Sequence, residues 1–444
     1  MDTLPFIDRH AEALARLGGP GWIADLRRTG LERYRALGLP TQRDEAWKYT
    51  SLSALKKIAF APAFLAAAPS FDGLPALGGS MAGEACRFVM VNGRFAPALS
   101  SLGDLPPGIG VSSLAAMMRD EPDALEALVA RLYPAEGQPL ANLNAAYLDD
   151  GVVIRIAAGA SLGKPVHVVS LCGAGLAPLM CHPRLLIVAE AGSTAAVVES
   201  RLGFGGGSTL CNVVTDVVVE DEATLGHYVL QKGSDDNRLL SSTRVDVRAG
   251  GLYESFALHV GGVLARNEVQ VLLGAERAEC RVNGAYAVSG SQHLDNTIRI
   301  DHAVPRTTSR QTFKGVLDDR GRGVFQGGIL VRRNAQQTDG QQMHKALLLS
   351  RGAEVDCKPE LEIYADDVKC GHGATAGELD EDAMFFLRAR GLDPETARGL
   401  LIEAFLDDVI EQIGNLTVRE VFKGVVAEWL TRRKVAIKET RGTP

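Results

Sequence analysis

The chain has 444 residues, 46% of them hydrophobic, and a formal net charge of −7. That length exceeds one ordinary compact core and predicts two or three domains or one elongated one, while the negative charge argues against nucleic acid as the main partner. No charged segment followed by an apolar run opens the chain, and no apolar stretch of about 18 residues occurs, so neither a secretory signal nor a membrane span is expected.

In chain order, Phe6 to Leu17 is rich in helix formers and stops at Gly18-Gly19-Pro20. Trp22 to Leu37 follows and stops at Gly38-Leu39-Pro40, the punctuation that Gly and Pro supply. Residues 61–80, rich in Ala, Pro and Gly, read as a linker that closes an N-terminal helical segment, 1–80. A mixed α/β connection spans 81–150. In it Phe88-Val89-Met90-Val91 reads as a strand turning at Asn92-Gly93. Residues 112–148 read as helical, with Leu125, Leu128, Val129 and Leu132 on one face.

At Gly151 the character changes. Up to residue 378 the chain is made of short β-branched runs cut by Gly, Asp, Asn and Ser, such as Val152-Val153-Ile154 and Val217-Val218-Val219. Others alternate strictly, as in Thr243-Arg244-Val245-Asp246-Val247. A small-residue turn recurs at Ala191, Glu222, Ala249, Ala275, Arg320 and Arg351, at similar intervals apart from one long step between Ala275 and Arg320. Near-constant spacing without an intervening helical pattern suggests a solenoid, and a parallel β-helix suits it. Periodicity alone leaves a β-sandwich equally open. The last segment, 379–444, is again helical. Asp380 to Arg390 ends at Gly391, and Asp393-Pro394-Glu395 supplies an N-cap, a first-turn proline and an acid. Apolar stripes follow, from Ile402 to Ile413 and from Val418 to Trp429. The basic tail (Arg432, Arg433, Lys434, Lys438, Arg441) reads as a solvated chain end.

Seven cysteines stand at 86, 172, 181, 211, 280, 357 and 370. Their number is odd, their spacings are long, and no Cys-x-x-Cys pair occurs. A disulfide framework, a zinc ribbon and a ferredoxin-type site are therefore not expected, and a reducing cytoplasm is. The run Gly159 to Lys164 fails as a phosphate loop because Ala158 and Pro165 stand where Gly and Ser or Thr are required, and Gly203-Phe204-Gly205 fails as a dinucleotide fingerprint because Ser208 holds the third Gly position. The acid pairs Asp318-Asp319 and Asp366-Asp367 fall in expected turns, where Asp caps backbone donors.

Cys370 and His372 lie two apart, so on a strand they share a face. Thiolate and imidazole suit iron and iron–sulfur clusters, but two ligands do not close a four-coordinate site. The bland reading makes Cys370 a small core residue and His372 a hydrogen-bonded turn residue. Cys357 and the other five cysteines read as structural.

Residues 281–380 carry a dense run of unusual words: Gln292-His293-Leu294-Asp295-Asn296-Thr297, His302-Ala303-Val304-Pro305, Phe313-Lys314-Gly315-Val316-Leu317-Asp318, and Lys358-Pro359-Glu360-Leu361-Glu362-Ile363-Tyr364 leading through Cys370-Gly371-His372 to Gly373-Ala374-Thr375. This stretch resembles the SufB/SufD family of iron–sulfur cluster assembly proteins. Arg43 to Thr50 looks like the N-terminal word of its SufD branch, and Gly373 stands where the SufB branch has Glu.

The resemblance implies a mainly β chain, a right-handed parallel β-helix over 151–378 flanked by N- and C-terminal α-helical segments. It implies a non-catalytic scaffold that pairs with SufB through the β-helix and receives the SufC ATPase on its C-terminal helices, around Met384, Phe385, Arg390, Leu392 and Arg398. It implies that His372, with Cys370 beside it, serves a transient iron–sulfur cluster at a site shared with SufB, with no cluster held stably alone. A homodimer in the absence of SufB is a corollary. The alternatives are a β-helix enzyme acting on polysaccharide and a SufB-like scaffold that builds a cluster unaided.

Overall fold

The computed structural model describes residues 4–65, 81, 83–130, 137–173, 177–204 and 206–441, with side chains to 433. Most of the expected linker, Leu132, Gly205 and the tail residues Lys434, Lys438 and Arg441 (as side chains) lie outside these. The N-terminal part contains α1 (His10–Leu14), α2 (Gly21–Leu37), β1 (Ala61–Pro62), β2 (Cys86–Val91), β3 (Arg94–Phe95), β4 (Ile109–Ser113), α3 (Leu114–Asp120), α4 (Pro122–Val129) and α5 (Pro139–Ala146). The first helix is shorter than expected because Phe6 takes a left-handed φ of 71°, which a helix does not continue. Residues 112–113 prove to be the end of a strand, β4, and Ser113 caps α3 by accepting from the Ala116 N–H.

The solenoid then runs β5 (Gly151–Ile156), β6 (Val166–Cys172), β7 (Leu179–Cys181), β8 (Arg184–Ala189), β9 (Thr194–Gly203), β10 (Thr209–Val219), β11 (Thr224–Gly233), β12 (Asn237–Val247), β13 (Leu252–Gly261) and β14 (Leu264–Leu273). It continues with β15 (Glu279–Val288), β16 (His293–His302), β17 (Thr308–Leu317), β18 (Arg322–Val331), β19 (Thr338–Leu348), β20 (Glu354–Ile363) and β21 (Val368–Gly377). From β8 on, even-numbered strands stack in parallel into one sheet and odd-numbered ones into a second, with β5 and β6 starting the two stacks: eight coils of a parallel β-helix. The cross-section has the two facing sheets of a sandwich, but the pairing along both stacks is parallel. Among the described residues, antiparallel contacts are β2–β3, β4–β5 and the single Arg87–Ser101 bridge, all beside the first coil.

Stacked inward positions explain the cohesion. Ile154, Ile187, Val217, Val245, Val271, Ile300, Ile329 and Leu361 are successive register partners, one aliphatic residue per coil along the whole solenoid. All but Leu361 are fully buried. Each such residue contributes about 1.5–3 kcal/mol by leaving water.

The corners explain the repeat. Gly192, Glu222, Gly250, Arg277, Arg306 and Gln337 occupy the same corner of successive coils, each with φ between 56° and 67°. Most hand their N–H to the coil that follows: Gly192 to the Asp221 carbonyl, Glu222 to Ala249, Gly250 to Glu276 and Arg306 to Gln336, at 2.8–3.1 Å. Non-glycine residues tolerate this left-handed geometry because the stack fixes it. Arg320 and Arg351, by contrast, belong to the opposite corner, where the chain crosses back from the second sheet. The long step from Ala275 to Arg320 is thus a coil and a half, not an insertion.

Helices α6 (Glu381–Arg388), α7 (Pro394–Ile410) and α8 (Leu416–Arg441) complete the chain. Asp393 caps α7 as its sequence predicts, and Asp380, expected as the first helical residue, proves to be the N-cap of α6. The stripe Ile402, Leu406, Val409, Ile410, Val418, Phe422 and Val426 packs on the outer face of the second sheet, against Tyr228, Phe256 and Leu258. The N-terminal helices cover the outer face of the first sheet at its early coils, where Ile23, Leu114, Met118 and Leu125 meet Val153, Leu186 and Val188. No helix among the described residues is long and apolar enough to cross a membrane.

Candidate functional site

Cys370 and His372 stand on β21, the last strand of the second sheet, which pairs only with β19. Across the coil lies β20, the last strand of the first sheet, which pairs only with β18. Among the described residues each strand therefore keeps one edge of backbone donors and acceptors unpaired. The corner before β21 is tightly specified: Gln337 gives its N–H to the Asp367 carbonyl, and Asp367 gives its own to Gln336 Oε1 at 2.9 Å. That fixes which β21 residues turn inward.

Cys370 turns inward. It packs with Val368, Ile329 and Val331 and lies over Gly340, whose missing side chain leaves it room. Beneath it the register column continues through Gly340 and Ser309 to Cys280. Two residues on, His372 shares this face, and its column descends through Gln342 and Gln311 to Val282. Gln342 and Gln311 are buried, and neither amide has a hydrogen-bond partner. His372 is exposed because no further coil covers it. On the facing strand Cys357 sits over Phe325 and is half-buried against the main core.

Burial raises the Cys357 thiol to about 11. At Cys370 burial also raises it, the Gly340 backbone opposes, and the Asp339 charge adds to the rise. Both thiols therefore rest protonated near neutrality, and only a binding metal ion would displace their protons. The open end thus offers two thiols and an imidazole around one mouth, without a closed coordination shell.

The acid pairs serve the corners. Asp319 accepts the Gly290 N–H, and Asp318 accepts the Asp319 N–H and pairs with Arg433 of α8. In the C-terminal helices Phe385 is 73% exposed, Met384 and Leu392 are half-buried, and Arg390 stacks on the Phe386 ring at 3.3 Å. Arg398 lies apart from them, in a cleft of about 610 Å³ between these helices and the solenoid that Glu395, Trp429 and Arg433 also line.

Two arrangements escape the sequence reading. The segment Arg43 to Thr50 straps the outer face of the first sheet. The Trp47 ring lies under the Arg266 guanidinium at 3.9 Å, the Ala46 carbonyl accepts from Arg266 and Gln326, Thr50 bonds Asp295 and His293, and Glu45 pairs with Lys358 on β20. The second is a cluster of Cys172, Cys181 and Cys211, whose sulfurs all lie within 4.8 Å of one another. It is the one such group of possible metal ligands among the described residues. Its signal was present: Cys181 and Cys211 are separated by one full coil and are direct register partners.

A family model for the SUF system FeS cluster assembly SufBD core domain matches residues 172–405, and one for the SufBD protein N-terminal region matches 9–168. An iron-sulfur cluster assembly SufBD family protein of Synechocystis is 32% identical, with 88% of this chain and 87% of that protein covered. The iron-sulfur cluster assembly protein SufD of Escherichia coli is 30% identical, covering 86% and 87%. A chloroplastic protein of Arabidopsis thaliana, ABCI7, is 29% identical, covering 94% and 89%.

Proposed function

The chain belongs to the SufBD family of iron–sulfur cluster assembly proteins, and from that premise we propose that it acts as a SufD-type subunit in the cytoplasm. In this role it is a scaffold without catalysis of its own. It pairs with SufB along the free edges of β20 and β21, receives SufC on the helical segment 379–444, and lends His372 to a shared site where a cluster is assembled as cargo. Cys370 stands beside His372 as a second donor.

One observation carries the reading: the solenoid ends in a bare coil that places an exposed imidazole and two half-buried thiols between two unpaired strand edges. Unpaired edges are templates for another chain's strands, and an incomplete ligand set gains its missing members from whatever pairs there. The same edges would join two copies when SufB is absent. The exposed Phe385, with Met384, Arg390 and Leu392, is the surface offered to SufC, and Arg398 in its separate cleft is a second point of contact. The helices of segments 1–80 and 81–150 would then brace the closed end while Arg43 to Thr50 straps the later coils, leaving 151–378 as the working solenoid.

Co-expression with SufB and SufC tests this. The chain should co-purify with both, and His372→Ala should assemble the same complex while cluster formation falls at least tenfold, read by absorbance after anaerobic reconstitution. Full cluster formation by that variant sinks the ligand role. A stable cluster on the isolated chain would favour a scaffold that works unaided.

A further inference from the structure

The cluster at the closed end lies about as far from His372 as the solenoid allows, and nothing in the proposed role uses it. Cys172 ends β6, Cys181 ends β7 and Cys211 stands near the start of β10, so the three bracket one crossing between the sheets. Their side chains turn inward among aliphatic neighbours. Cys172 and Cys181 have their sulfurs 3.5 Å apart, and Cys181 and Cys211 are adjacent in register. They are 8%, 7% and 5% exposed, whereas deeper inward neighbours such as Ile187 and Val197 are sealed.

The surroundings include a buried cation with donor capacity to spare. Arg201, on the β9 strand beside β6, is buried; Glu199 takes two of its N–H groups, and its Nη1 has no hydrogen-bond partner. A buried guanidinium nitrogen left without an acceptor is costly, and an anionic thiolate centre nearby would relieve part of that cost.

We infer that Cys172, Cys181 and Cys211 form a closed site for one soft, thiophilic metal ion that accepts three sulfur ligands, of the class of Cu(I). Metal–sulfur bonds of about 2.3 Å in a trigonal plane set the sulfurs about 4.0 Å apart, which falls within the observed spacing. Thiolates select soft ions. Zinc closes its structural sites with four ligands, and among the described residues no His, Asp or Glu joins these three. An iron–sulfur cluster spreads its cysteines over separate irons, which needs them farther apart. Binding releases thiol protons to solvent as metal–sulfur bonds form, without change of oxidation state.

Anaerobic titration of the reduced full-length chain with Cu(I), against a chromogenic Cu(I) chelator, tests the site. One ion per chain should leave the chelator, more tightly at higher pH, and the copper X-ray absorption spectrum should show three sulfur neighbours. Cys211→Ala should weaken retention by a factor on the order of 100, with Cys211→Ser as the substitute if circular dichroism shows the first unfolded. Cys370→Ala and His372→Ala should leave retention unchanged, which separates this site from the one at the open end. No retention by the folded wild type, fewer than three sulfur neighbours, or loss that follows Cys370→Ala instead would overturn the inference. So would a Cys172–Cys181 disulfide in the reduced chain, detected by alkylation and mass spectrometry.

Discussion

Cys172 and Cys370 both turn inward from the second sheet, one on its first solenoid strand and one on its last. At the first coils, strands, turns and helices cover both outer faces, and the interior holds a polar cluster centred on one carboxylate. Glu199 accepts from Arg201, Thr215 and His227, and His227 meets Tyr253. Burial opposes its charge, yet Arg201 and His227 hold the Glu199 carboxyl down at about 2. Toward the last coil the interior is polar too, with Gln311 on β17 and Gln342 on β19 unpartnered in the column beneath an exposed histidine. The difference teaches what a solenoid does with its ends. One is closed by the chain itself, and its polar groups serve stability. The other is left for something else to close, and its polar groups are free to bind.

The sharpest way to break this contrast is Glu199→Ala. It strands Arg201 and His227 in the core, and losing one partner of a buried ionic cluster costs about 3–5 kcal/mol. The urea midpoint should fall accordingly, and a loss below about 1 kcal/mol would mean that the closed end is not held by its polar core. Acid probes the open half. Burial lowers His344, sandwiched between Phe325 and Tyr286, to about 4. Its folded value lies below its unfolded one, so stability is complete above about pH 6.5 and falls as the unfolded chain takes up protons on the way down to pH 4. The expected loss from this group is about 3 kcal/mol, and His344→Gln should reduce the slope in that window by about one proton, the buried His302, His182 and His259 supplying the rest. An unchanged slope would show that this histidine is not sealed. The smallest effect concerns the strap. Lys358→Ala removes the pair that ties β20 to Glu45, an exposed carboxylate, so the change should stay below about 1 kcal/mol. A larger loss by chemical denaturation would show that the open end depends on the N-terminal strap.

Much of this was legible beforehand. Alternation and corner residues pointed to a solenoid, and the family words over 281–380 chose the β-helix from two even alternatives. The capping residue Asp393 needed no structure. The sequence reading followed the wrong corner after Ala275 because the two corners have similar composition; only the φ column tells them apart. The cysteine triad was missed for a related reason: neighbours across coils are separated by a whole turn of the solenoid, and no local pattern marks them. The strap was recognised as a word but not as a contact, since cation–π and carbonyl contacts to Arg266 leave no periodic trace. Cys357 was rightly read as packing against the core, though it shares the mouth with Cys370.

The corner column carries one more consequence. Each coil is a self-contained step in which one left-handed residue hands its amide to the next, and parallel strands advance about 4.8 Å per step. The distance between the braced end and the open end is therefore a whole number of such steps. Lengthening a corner loop leaves it unchanged, whereas adding or deleting a complete coil, the span that carries Cys181 to Cys211, resets it. The β-helix is a ruler with fixed graduations.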